Sequence, residues 1–208
     1  MAIPPVVYTA HRWVVGGVVM RLEGLLTNAD DALFEMAARG NEAFDQRRCF
    51  DLARQLRIQR AQLLGGYRHV LERGSRTWAT REFQGPEVDG SWEHAQLLGA
   101  RARVNFGPLL GVLAAEFASL LECDVPNFEA LPISPTWVAN SYLESRRAAG
   151  LGANPFLDRL FVRYVIDRLG GLYGEVREML VNSRSNDTGG CEESSVQGNP
   201  QIGHAFAV

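Results

Sequence analysis

The residues able to do chemistry in this chain are few in kind. All 21 of its basic residues are arginine, and no lysine occurs. That removes Schiff-base chemistry, a lysine general base and the lysine of a phosphate loop. The arginines are unevenly spread. Five fall between Arg47 and Arg60. At about 100° per residue, Arg47, Arg54, Arg57 and Arg60 share one side of a helix, with Phe50 among them. Guanidinium groups suit bidentate contact with carboxylate or phosphate. Two readings follow. The side is a solvated face whose aliphatic stems lie along the core edge, or it is a contact face for an acidic partner or an anionic nucleotide-type ligand, anchored by Phe50.

The remaining reactive types are scattered. His11, His69, His94 and His204 stand apart in sequence and read as surface or interface side chains, not bases. Cys49, Cys123 and Cys191 are odd in number, with no CxxC or Cys/His spacing, so a structural zinc is not expected. Cys49 sits on an apolar helix side and reads as core. Cys123 lies between Glu122 and Asp124, which disfavours a thiolate. Asp30-Asp31 fits the first turn of a helix, where the dipole favours acids. A site from His69, His94 and Glu116 has no support in spacing. There is no GxGxxG after a strand, no GxxxxGK[ST], no HExxH and no GxSxG. No catalytic residue, metal or cofactor is expected.

Placing these residues takes helices. The chain has 208 residues, 24 of them acidic, for a formal charge of −3. Its composition is that of one globular domain. No segment alternates with period two, so the class is all-α, an irregular bundle of about five to seven helices. Residues 1–17, marked by proline and glycine, read as an irregular arm. Residues 18–182 read as a single helical domain with a loop near 75–90, and 183–208 as a disordered polar tail. Within the domain, breaks are expected at Gly65-Gly66 and at Asn105–Pro108. Ser134-Pro135 and Asn154-Pro155 open helices as cap and first residue. The last helix, from Pro155 to Asn182, is apolar over more than half its circumference. Only Arg159, Arg163, Asp167 and Arg177 form a polar strip. Gly170 and Gly174 lie beside Arg163 and Arg177. That grouping reads as a helix crossing or dimer seam, or else as a kink. No stretch approaches about 20 uncharged apolar residues, and no signal peptide is evident, so a cytoplasmic protein without a membrane span is expected.

Two blocks resemble a known family. Ala29-Asp30-Asp31, Leu33-Phe34 and Ala37, then Gln46, Cys49-Phe50-Asp51, Arg54, Leu56-Arg57 and Arg60, are similar to the N-terminal signature of the proteobacterial domain-of-unknown-function 1631 family. Cys49 departs from the usual aromatic. ISPTWVANSYLES and LFVRYVIDRLGGLYGEV, between Phe128 and Leu180, resemble its C-terminal helices. Typical members are several times longer, so the chain looks like a shortened version. Some members carry the label thymidine phosphorylase. A nucleoside phosphorylase needs a glycine-rich phosphate loop and commonly a lysine contact, and neither is present.

The expectation is a non-enzymatic cytoplasmic protein acting through protein–protein interaction or self-association, in bacterial regulation or signalling. The alternative is a binder of an anionic small ligand through the Arg47–Arg60 face. An enzyme assembled from distant histidines and acids ranks third. Nucleic acid ranks last, because acids balance the arginines.

Overall fold

A computed structural model of the protein describes residues 3–39, 43–80, 90–124 and 127–188. Among them are seven α-helices, two short 3-10 turns and no strand. The helices are α1 (Pro5–Thr27), α2 (Ala29–Arg39), α3 (Ala43–Thr80), α4 (Gly90–Leu121), α5 (Pro135–Ala148), α6 (Pro155–Tyr164) and α7 (Leu169–Thr188). The 3-10 turns are Phe128–Ala130 and Ile166–Arg168. α5 lies between α3 and α4, α1 packs on α3 and α7, and α7 returns to α4, which closes a ring of helices around one core. α2 packs on α3, while α6 touches α1 and α4.

Of the arm expected over residues 1–17, the part from Pro5 on is instead the first half of α1. Val7, Ala10, Val14, Val18 and Leu22 recur at helical spacing and are buried. The β-branched valines and Gly16-Gly17 lower helix propensity, and burial of a whole face overrides it. Gly17 is needed for contact: a Cβ there would lie 2.5 Å from Cδ2 of Leu172, on the facing α7.

Two expected interruptions are absent. α3 runs through Gly65-Gly66 to Thr80, and α4 runs through Pro108 to Leu121. One expected continuity is broken, since the 3-10 turn at Ile166–Arg168 separates α6 from α7. Of the loop near 75–90, residues to Thr80 are helical and 81–89 lie outside the described residues. The tail begins as helix to Thr188, and 189–208 lie outside them. The caps are as expected: Ser134 Oγ accepts from Trp137 N at 3.1 Å, and Asn154 Oδ1 accepts from Phe156 N at 3.0 Å. By length and composition α4 is apolar enough to cross a bilayer, a test that a core helix also passes. One acid, Glu116, interrupts its last 18 residues.

Candidate functional site

A groove of about 720 Å³ runs between the N-terminal half of α4 and α6. α4 contributes His94, Leu98 and Arg101, spaced i, i+4, i+7 on one face. α6 contributes Asp158, Arg159, Val162 and Arg163 by the same periodicity, and Asp167 enters from the 3-10 turn. Leu98, Val162, Ala153 and Pro155 make the apolar part of the lining, and the arginines its cationic part.

The two acids of the groove are already engaged. Asp158, with its side chain 11% exposed, accepts from Tyr142 Oη at 3.0 Å and pairs with the buried Arg146. Tyr142 stacks on Phe161, with ring centroids 3.9 Å apart and planes 8° off parallel. Burial, and then the charge of Asp158, hold the Tyr142 phenol well above its ordinary pKa, so it stays protonated and donates to Asp158. His94 Nε2 stands 3.6 Å from Asp158 Oδ2, beyond hydrogen-bond range. Asp167 is held by Arg101 through Nε and Nη2. Arg159 and Arg163 are exposed, the latter with its guanidinium 5.4 Å from the Tyr164 ring centroid.

The residues singled out on α3 do share a face. Arg47, Phe50, Arg54 and Arg57 are exposed along it and Arg60 is half-buried; Phe50 is 55% exposed. Part of this face points inward to the chain. Arg57 Nη2 pairs with Asp30 at 2.6 Å, and Arg60 Nη2 donates to Thr27 Oγ1 at 2.9 Å and lies 3.9 Å from Glu23. These contacts tie α3 to α2 and to the end of α1.

Of the four residues read as a seam, Gly170, Gly174 and Arg177 lie along one side of α7 and Arg163 lies on α6. Arg163 lines the groove on α6. Gly170, across the 3-10 turn, faces Phe106, whose Cε1 would lie 2.6 Å from a Cβ there, so its smallness serves a contact within the chain. Gly174 has open space where a Cβ would be, and Arg177 is exposed on α7. The apolar side of α7 (Leu169, Leu172, Tyr173, Val176, Leu180) is core. Tyr173 Oη donates to the Ile133 carbonyl at 2.7 Å.

A second cavity, of about 600 Å³, lies between α1 and α3 and is lined by Tyr8, Arg12, Arg68 and Glu72, with His11 at its edge. His11 is buried. Desolvation lowers its pKa to about 4, although a hydrogen bond to backbone at Leu71 works the other way. The ring is therefore neutral near pH 7. Its Nε2 has no partner among the described residues. No group of three or more His, Cys, Asp or Glu side chains among those residues is placed to hold a metal ion.

The α3 face and the groove also differ in what they are similar to. Residues 2–89 match the family model described as Protein of unknown function (DUF1631) N-terminal domain. The DUF1631 match takes in α1, α2 and α3, with the motif residues Ala29–Arg60 inside it. It ends before α4, so the whole groove lies outside the DUF1631 segment, as does the resemblance between Phe128 and Leu180. No match was found among curated proteins or among solved structures.

Sequence reasoning named Arg159, Arg163 and Asp167 as a polar strip but did not see a site. Asp158, Arg146 and Tyr142 carried no local signal, being 12 and 16 residues apart across a turn. Leu98 and Val162 carried no sequence signal that set them apart from other apolar residues.

Proposed function

We propose that the chain is a non-enzymatic helical binding protein that holds an acidic, amphipathic segment of a partner protein in the α4–α6 groove. One observation carries this reading: an apolar lining of Leu98, Val162 and Pro155 is rimmed by Arg159 and Arg163, beside acids that Arg146 and Arg101 already neutralise. A segment with leucines on one side and glutamates on the other fits both parts of that lining. The engagement of Asp158 by Tyr142 and Arg146 gives it a holding role and argues against a histidine–aspartate base pair.

A fluorescent amphipathic peptide of leucines and glutamates tests this by anisotropy. The expected result is saturable, salt-sensitive binding that Arg159→Glu with Arg163→Glu abolishes and a Lys-for-Glu peptide lacks. Equal binding by parent and double variant overturns it. The groove's volume also falls in the range of small-molecule sites. An anionic small ligand is therefore a second reading, tested by thermal shift with nucleotides. No shift at millimolar ligand removes it.

A further inference from the structure

The outward side of α4 beyond the groove is anomalous. Val104, Pro108, Gly111, Val112 and Ser119 fall in an arc about 100° wide and are all exposed, Val104 by 79%. No charged residue lies on this stripe between Arg101 and the end of the helix. A Cβ at Gly111 would meet no atom of the described residues. A surface helix ordinarily turns charge to water, and an uncharged, largely apolar strip about 22 Å long is the mark of a contact.

The helix end adds a second, independent oddity. Cys123 N donates to the Ala118 carbonyl at 3.1 Å, closing the helix in a Schellman-type turn. The residue in the left-handed position of that turn is Glu122, with φ 51°, the one non-glycine residue at positive φ among the described residues. Glycine is usual there. A carboxylate is disfavoured twice, by its Cβ and by the negative end of the helix dipole. Such an outlier points to a use elsewhere.

We infer that this face binds a second copy of the same chain, α4 against α4, antiparallel. A two-fold axis at Gly111–Val112 sets residues equidistant from that centre opposite each other. Val104 then meets Ser119, and Pro108 meets Ala115, with the open Gly111 at the crossing. Arg101 of one copy meets Glu122 of the other at both ends. The Asp167 pair uses Nε and Nη2 of Arg101, so Nη1 is the atom that serves Glu122. The stripe is apolar where the copies cross and complementary in charge where they end. The face shares Arg101 with the groove, but its stripe from Val104 to Ser119 lies outside the groove lining and does not depend on the groove's holding a peptide.

Sedimentation equilibrium of the full chain is the test. The parent chain sediments as a dimer at micromolar concentration. Val104→Glu sediments as a monomer whose circular-dichroism melt matches that of the dilute, dissociated parent, because that side chain is exposed. Arg101→Glu and Glu122→Arg each weaken the dimer by about tenfold or more, and together they restore it. Glu122→Gly weakens the dimer while raising the Tm of the dilute monomer by roughly 2–4 °C. A monomer at every concentration overturns the inference, whatever then covers the stripe, and so does a dimer indifferent to Val104→Glu. A monomeric parent that co-sediments with phosphatidylcholine vesicles, with Val104→Glu abolishing the association, would assign the stripe to lipid and equally overturn it.

Discussion

On α3, Arg57 and Arg60 direct their donors to Asp30, Thr27 and Glu23, and so bind three helices of one chain together. In the groove, Arg159 and Arg163 stand beside Leu98 and Val162, and the nearby acids are answered by other arginines. The same side chain thus serves as a clamp in the segment that matches DUF1631 and as a rim outside it. Counting arginines in sequence favours the first region, where they are dense. Asking which acids sit within reach favours the second. Density of charge is a poor guide to a binding face when its counter-charges come from the neighbouring helices.

The comparison is most sharply tested by removing one arginine from each region. Arg146→Met leaves Asp158 buried without its cation, and should lower stability by about 3–5 kcal/mol. Urea unfolding measures this, and adding Asp158→Leu should return most of the loss. A cost below about 1 kcal/mol for the single variant would show that Asp158 is not held as described. Next in size is acid sensitivity in the matched segment. His11 is neutral in the fold down to a pKa of about 4, whereas an unfolded histidine takes up its proton near 6.5. The unfolded state therefore binds more protons between those values, and stability falls as pH drops from about 6.5 to 4, by about 3 kcal/mol in all. His11→Asn keeps a donor for the Leu71 backbone and does not titrate. Its stability should lose that much less than the parent's over the same window, and parallel pH profiles would contradict the assignment. Ser134→Ala, which removes the cap of α5, should cost about 1 kcal/mol, read from the same unfolding curves. The smallest effect belongs to the α3 clamp. With its side chain 71% exposed, Arg57→Ala should change stability by no more than about 0.5 kcal/mol.

Much of the fold was legible because helices announce themselves through spacing and caps. Ser134 and Asn154 opened helices as read, and Cys49 is buried as its apolar helix side required. The first half of α1 was missed because valines and paired glycines speak locally for an irregular chain, while its burial against α3 and α7 is a property of the whole bundle. Pro108 and Gly65-Gly66 were overweighted for the same reason: packing along long helices outweighs single breakers. The groove was half legible. Its arginine strip on α6 follows from periodicity, but the facing strip on α4 and the Asp158–Arg146–Tyr142 support depend on how helices pack across the turn before Asn154, which no spacing encodes. Gly170 and Gly174 were read together by spacing, yet only Gly170 meets a neighbour, the ring of Phe106.

Which of the two arginine regions does the binding is decided most directly by nuclear magnetic resonance. Backbone amide shifts of the labelled chain are followed as the leucine–glutamate peptide is added. Perturbations confined to His94–Arg101 and Ala153–Arg163 are the expected result. Perturbations centred on Gln46–Arg60, with the groove silent, would contradict the account.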